Sequence, residues 1–181
     1  MTPKEIVAFW KELGDKRWFA VDPALDEEIR GRYESVWQDA RDGKLADWEE
    51  TAEGSLALVI LLDQFPRNMF RGTAKAFSTD ALAHKVAERA VANGYDTNLP
   101  EALRVFFYLP FMHSEDIADQ DRCVALIEER LGRNTKNYPF ALSHREAIRK
   151  FGRFPARNKA LRRTSTPAEE QFLDAASRPS R

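Results

Sequence analysis

The sequence contains a single cysteine, Cys123, among its 181 residues. One thiol forms no internal disulfide and no cysteine zinc cage, so disulfide-rich and cysteine-zinc proteins are excluded. The longest stretches without charged residues, 54–62 and 105–114, are much shorter than the roughly 20 apolar residues that cross a bilayer. The N-terminus also lacks a basic segment followed by an apolar one. We therefore expect a cytoplasmic protein without a membrane-embedded part.

Glycine and proline are also scarce, with 8 and 9 residues. Together with 43% hydrophobic and 31% charged residues, this composition excludes collagen-like, low-complexity and disordered chains. No segment shows the sustained two-residue alternation of a β-strand bounded by turns. The sequence therefore predicts an all-α protein.

Helix signals recur along the whole chain. In the first of them, Thr2 is followed by Pro3 and by Glu5 three residues later, which is typical of a capping box. The apolar run 56–62 predicts the most buried helix. The predicted helices span approximately residues 3–13, 23–43, 48–65, 79–94, 100–110, 114–132, 139–151 and 166–177.

These patterns predict one domain over residues 1–181, with frayed residues after 177. About eight helices in antiparallel hairpins fit either an irregular bundle or a stack of helical hairpins. The periodicity of the apolar residues does not distinguish these two folds.

Charge is distributed unevenly despite a net charge of −1. Residues 1–63 carry 8 basic and 15 acidic side chains, whereas residues 144–181 carry 10 basic and 4 acidic ones. One interpretation is that helix faces from the acidic and basic ends attract each other or are simply solvated. The other is that the basic C-terminal part forms an anion-binding lobe. Residues 144–163 are basic with interleaved phenylalanines, but the remainder of the chain has a net charge of −8. We therefore do not expect nucleic-acid binding.

A short motif occurs twice, as Gln64-Phe-Pro-Arg-Asn68 and as Arg153-Phe-Pro-Ala-Arg-Asn158. Both copies follow the end of an apolar helix, so each fits a helix-hairpin corner. Alternatively, backbone N–H groups after each proline and nearby guanidinium groups bind a carboxylate or phosphate. The arginines concerned are Arg67, Arg71, Arg153 and Arg157.

A second group of polar residues surrounds a predicted helix break at Pro110. The break places His113 at the start of the next helix, close to Glu115, and Asp63 and His144 are further acid or base candidates. The same groups fit bonds to helix ends or to the arginines. They lack the spacing of a known metal motif, and there is no Gly-rich phosphate loop, so we expect no metal and no cofactor. Cys123 lies on an apolar helix stripe and is assigned to the core.

Three blocks of the sequence resemble a bacterial and plant family known as domain of unknown function 924. They are residues 62–72, 107–115 and 144–158, and the resemblance extends from the opening helix to Ser165-Thr166-Pro167. Ala156 departs from the family pattern, which has a histidine there. The resemblance implies an all-helical, tetratricopeptide-like fold and a site built from the three blocks, but it implies no activity.

The leading hypothesis is a helical protein that binds a small anion or an acidic peptide end in a pocket formed by residues 63–71, 108–116 and 144–158. One alternative is a hydrolase that uses His113 and His144 as acid and base, together with Glu115. Another is a protein–protein adaptor. The sequence assigns no oligomeric state. The candidate binding residues are Asp63, Gln64, Arg67, Asn68, Arg71, His113, Glu115, His144, Arg153, Arg157 and Asn158.

Overall fold

The computed structural model describes residues 1–177, and every regular element within them is helical. The predicted all-α class is confirmed. The predicted fraying after residue 177 lies outside the described residues. The α-helices are α1 (Pro3–Leu13), α2 (Asp15–Trp18), α3 (Pro23–Arg41), α4 (Ala52–Val59), α5 (Phe65–Met69), α6 (Asp80–Ala92), α7 (Glu101–Met112), α8 (Ile117–Arg130), α9 (Asn137–Phe151) and α10 (Pro167–Ser177).

Helix α1 begins at the capping box that the sequence predicts. The Thr2 side chain accepts a hydrogen bond from the Glu5 backbone N–H, and the Glu5 carboxylate accepts one from the Thr2 backbone N–H at 2.6 Å. These bonds satisfy N–H groups that lack partners inside the helix. The predicted span of residues 3–13 is confirmed.

The apolar run forms the most buried part of the chain, but its helix is not uniform. It begins with α4, passes through a wider π-helical turn at Ile60–Gln64 and continues into α5. Pro66 has no N–H to donate to the carbonyl of Leu62, four residues earlier. The Thr79 hydroxyl donates to that carbonyl instead, at 2.6 Å.

The helix break predicted at Pro110 is wrong. Pro110 lies inside α7, which continues to Met112. A proline inside a helix removes one hydrogen bond and bends the helix, but it does not have to end it when the neighbouring apolar side chains are packed. Phe107 and Phe111 are both fully buried. The four-residue helix α2 has no counterpart among the predicted helices.

The structure divides into two compact units. The first comprises residues 1–71 and 75–111, and its core includes the clustered rings of Trp10, Tyr33, Phe65 and Phe106. The second comprises residues 72–74 and 112–181, in which α8 packs against α9. The single domain over residues 1–181 and the tetratricopeptide-like stacking stay predictions.

No helix within residues 1–177 combines the length and apolar character needed to cross a membrane. The cytoplasmic location stays a prediction.

Candidate functional site

The predicted site residues fall into two groups, one in each unit. The first unit contains Asp63, Gln64, Arg67, Asn68 and Arg71. The second contains His113, Glu115, His144, Arg153, Arg157 and Asn158. Each group is described by itself.

In the first unit, Arg67 lies between two carboxylates. Its Nη1 is 3.1 Å from Oδ1 of Asp63, and its two terminal nitrogens donate to the two oxygens of Asp80 at 2.9 and 3.0 Å. Asp63 is fully buried and also accepts a hydrogen bond from the side chain of Gln64. Although burial lowers the pKa of Arg67, the two aspartates outweigh it, and the pKa lies above its ordinary value.

Asn68 and Arg71 both donate to Asp26 of α3. The amide of Asn68 is 2.8 Å from Oδ1, and Arg71 forms two bonds with the carboxylate at 2.7 and 2.8 Å. Burial raises the pKa of Asp26, but hydrogen bonds from Arg71 and Asn68 bring it below its ordinary value. Asp26 thus fixes α5 and Arg71, two residues beyond its end, against α3.

In the second unit, Glu115 holds the corner that follows α9. Its carboxylate accepts a hydrogen bond from the Phe154 backbone N–H at 2.8 Å and two from Arg163 at 2.7 and 3.0 Å. Arg163 also donates to the Phe154 carbonyl at 3.1 Å. Partial burial raises the pKa of Glu115, but the bonds from Arg163 and Phe154 bring it below its ordinary value.

Arg153 and Asn158 bind the start of α10 through Glu169. Arg153 donates to the two oxygens of this carboxylate at 2.7 and 2.9 Å, and the Asn158 amide lies 3.4 Å from one of them. Glu169 also accepts from the Thr166 backbone N–H at 2.7 Å, which completes a helix N-terminal cap. The hydrogen bonds from Arg153, followed by that from Thr166, lower the pKa of Glu169 to about 2.

The two candidate histidines have different surroundings. The carbonyl of His113 accepts a hydrogen bond from Arg157 at 2.9 Å. The Nδ1 atom of His144 lies 2.9 Å from the Phe140 carbonyl. A carbonyl only accepts, so Nδ1 is the donor in this hydrogen bond. The His144 ring also packs edge-on against Phe154, with centroids 5.4 Å apart.

His144 borders a depression of about 140 Å³ in the second unit, called here the His144 depression. The Arg157 guanidinium, which does not line the depression, lies over the ring of the lining residue Phe154, 4.7 Å from its centroid. The depression therefore combines an apolar wall with an imidazole and a neighbouring guanidinium. Its wall consists of Ser143, His144, Ala147, Phe154, Pro155, Ala156 and Phe172.

Residues 1–177 contain no group of side chains arranged for metal binding and no reactive thiol. No three side chains of His, Cys, Asp or Glu in this part of the chain are placed to hold a metal ion. Cys123 is buried, and burial raises its pKa to about 12, so the thiolate that acts as a nucleophile is not formed near neutral pH.

Four residues that complete these clusters were not predicted from the sequence: Asp26, Asp80, Arg163 and Glu169. Glu169 had a signal, because it is the acidic member of the Thr166 capping box, although that pattern indicates only a helix start. The other three lie 9 to 45 residues from partners such as Arg71 and Phe154. No local pattern encodes such pairing.

The fold and these clusters define an all-helical protein in which arginine–carboxylate pairs fix corners of the chain within each unit. The chain belongs to the family described as bacterial protein of unknown function (DUF924), whose model matches residues 6–177. It is also similar to the protein of unknown function ATU0120 from Agrobacterium tumefaciens. The two chains are 45% identical with a TM-score of 0.91, and the match covers 96% of this chain and 97% of that one. No curated protein matches this chain.

Proposed function

We propose that the second unit binds an acidic peptide end, or another small anion with a short apolar part, in the His144 depression. The observation that carries this proposal is the arrangement of His144 and Arg157 on the same ring, Phe154, at the edge of a space with an apolar wall. An imidazole and a guanidinium both donate to carboxylates.

The size of the depression supports a short ligand group. A volume of about 140 Å³ has room for a few water molecules at about 30 Å³ each, or for one small aliphatic side chain. A terminal residue with a short side chain therefore fits, and its carboxylate then lies at the rim.

The charge of the second unit favours an anion. Within the described residues it carries 12 basic and 10 acidic side chains, whereas the first unit carries 14 and 19. An excess of positive charge raises the local concentration of anionic ligands and their rate of association. The acidic peptide end is therefore assigned to the second unit.

Arg153 has a different role in this proposal from the one that the sequence suggested. Its guanidinium is engaged by Glu169 and by the Thr164 carbonyl, so it positions α10 and does not contact the ligand. Glu115 likewise positions Phe154 through its bonds to the backbone and to Arg163. These ion pairs give the depression its shape. Ligand binding itself is assigned to His144 and Arg157.

The test is a binding experiment with two peptide libraries of equal composition. One ends in free carboxylates and the other in C-terminal amides, and binding is followed by backbone chemical-shift changes. We expect saturable shifts around residues 143–157 with the first library, and affinity about tenfold weaker with the second. His144→Gln should weaken binding similarly, whereas Lys150→Gln, on the same helix but outside the depression, should not. Equal binding of both libraries, or shifts elsewhere, contradicts the proposal.

The same samples test the alternative hydrolase function. An enzyme that uses His113 and His144 with Glu115 cleaves members of the libraries, which mass spectrometry detects as new termini. Turnover that disappears in His113→Ala supports the enzyme. Binding without cleavage supports the proposed binding function.

A further inference from the structure

The face of α9 that lines the His144 depression extends beyond the depression to Phe140. The lining residues on this helix are Ser143, His144 and Ala147, which follow Phe140 by three, four and seven positions. Positions with this spacing lie on one face of a helix. Phe140 therefore lies one helical turn before His144, next to the depression but outside its lining.

Phe140 is the more exposed of two phenylalanines at this surface. Its side chain is 60% exposed, and that of Phe172, which lines the depression, is 36% exposed. Within the described part of the second unit, only Ile117 is another large apolar side chain with comparable exposure. Single exposed apolar residues are common in soluble proteins, whereas contiguous ones mark binding surfaces. Phe140 and the depression thus form one apolar surface that is partly open to solvent.

The polar and apolar parts of this surface are separate. His144 and the neighbouring Arg157, to which the proposed function assigns the ligand carboxylate, both contact the ring of Phe154 in the corner after α9. Phe140 lies towards the start of α9, where no residue of the lining precedes Ser143. The depression is therefore not closed on the side of Phe140.

The distance along α9 selects which residue of an extended peptide reaches Phe140. The three lining residues of α9 lie about 4.5–10.5 Å from Phe140 along the helix axis, since a helix rises about 1.5 Å per residue. An extended peptide rises about 3.3 Å per residue, and its successive side chains point to opposite sides. Side chains two positions apart lie on the same side at about 6.6 Å, within that range, whereas those four positions apart are separated by about 13 Å. Only the residue two positions before the terminal one therefore fits Phe140.

We infer that the second unit recognises the C-terminal segment of a protein partner, in which a large apolar residue two positions before the terminal residue packs on Phe140. The terminal residue has a short apolar side chain that occupies the depression, and its carboxylate lies at His144 and Arg157. The residue between these two points to solvent. This inference rests on the proposed function and adds a requirement for a peptide, because a free small anion in the depression does not reach Phe140.

Two isomeric pentapeptides test this inference. Both are N-acetylated, begin with glycine and serine, and end in valine with a free carboxylate. Leucine lies two positions before the valine in the first peptide and next to it in the second, and another serine takes the remaining position. In titrations followed by backbone chemical shifts around residues 140–157, we expect the first peptide to bind about fivefold more tightly, because only its leucine packs on Phe140. Equal affinity overturns the inference and leaves the proposed function in place. Absence of saturable binding by both peptides at about 10 mM overturns the proposed function and the inference together.

Three variants locate the apolar contact. Phe140→Gln should abolish the preference for the first isomer, whereas Phe140→Leu, which keeps an apolar side chain, should retain it. Phe19→Gln is the matched control and should also retain it, since Phe19 is 55% exposed and lies in the first unit. A preference that survives Phe140→Gln, or disappears in Phe19→Gln, overturns the inference. Sedimentation tests a different occupant: wild-type dimers that dissociate in Phe140→Gln assign Phe140 to a contact between two copies of the chain and overturn the inference as well.

Discussion

The backbone N–H of Phe154 donates a 2.8 Å hydrogen bond to the carboxylate of Glu115, 39 residues earlier in the chain. The same carboxylate pairs with Arg163, which also binds the Phe154 carbonyl. One ion pair, Glu115 with Arg163, thereby fixes both polar backbone groups of Phe154. This corner holds the aromatic ring against His144, and it forms a wall of the depression to which we assign ligand binding.

The variant Glu115→Gln should destabilise the protein by about 1.5–3 kcal/mol at pH 7, because charge-assisted bonds to Arg163 and Phe154 are lost. Urea unfolding measures this difference. Glu146→Gln is the matched control, since Glu146 is exposed and has only a neighbouring ion pair within α9. A loss as small as that of the control contradicts the assigned role of Glu115.

Acidification should remove the advantage of wild type over Glu115→Gln. The pKa of Glu115 is lower in the folded protein than its ordinary value, so the unfolded chain binds more protons at intermediate pH. The contribution of Glu115 is therefore complete above its ordinary pKa and is lost as the pH falls through the folded value. Unfolding curves of both proteins from neutral to acidic pH check this sign.

The attachment of α10 should depend on Glu169. Its pKa of about 2 in the folded protein predicts that the pairing with Arg153 contributes above the ordinary pKa near 4.5 and is lost as the pH falls towards 2. In Glu169→Gln, we expect faster amide hydrogen exchange in residues 167–173 at pH 7. Glu170→Gln, which changes the adjacent exposed acid, should not alter exchange. Equal amide exchange rates in Glu169→Gln and Glu170→Gln contradict a role of Glu169 in the attachment of α10.

Two glycine substitutions should have opposite effects. A Cβ at Gly54 meets the Trp48 carbonyl oxygen at 2.0 Å, so Gly54→Ala forces backbone movement and should cost about 1–3 kcal/mol. A Cβ at Gly31, on the exposed side of α3, meets nothing within 4 Å. Gly31→Ala should therefore stabilise the protein by about 0.5–1 kcal/mol. Thermal unfolding of the two variants measures whether each change raises or lowers stability. Stabilisation by Gly54→Ala contradicts the close contact between Gly54 and the Trp48 carbonyl.

Cys123 should not react with iodoacetamide in the native protein. Its side chain is fully buried, so the reagent does not reach the sulfur. Its pKa is raised to about 12, so the reactive thiolate is not formed at pH 8. Modification should occur at once in denaturant. Mass spectrometry detects the adduct, and rapid modification without denaturant shows that α8 opens locally.

The sequence predicted the helices best where the signals are local. The α1 bounds and the cap at Thr2 are confirmed because a cap and its helix lie within a few residues. Pro110 was misinterpreted because its effect on α7 depends on packing around Phe107 and Phe111, which local sequence does not contain.

For the candidate site, the sequence identified one local partner, Asp63 for Arg67, but not the more distant partners of the candidate arginines. The partly repeated motif contains Arg67 and Arg153, and both guanidinium groups pair with carboxylates. Their carboxylate partners, Asp80 and Glu169, lie 13 and 16 residues away and meet them only after the helices pack. The motif left a helix-hairpin corner and an anion site as alternatives, and the carboxylates that pair with these two arginines belong to the chain itself.

Composition and local pattern alone determined the all-α class, the most buried helix and the family resemblance, since these depend on short-range periodicity and capping. Only the tertiary structure decided which charges neutralise each other and which concave regions exist. The physical reason is that an ion pair or a cleft depends on distances of a few ångströms between side chains far apart in sequence, and those distances are set by the packing of whole helices.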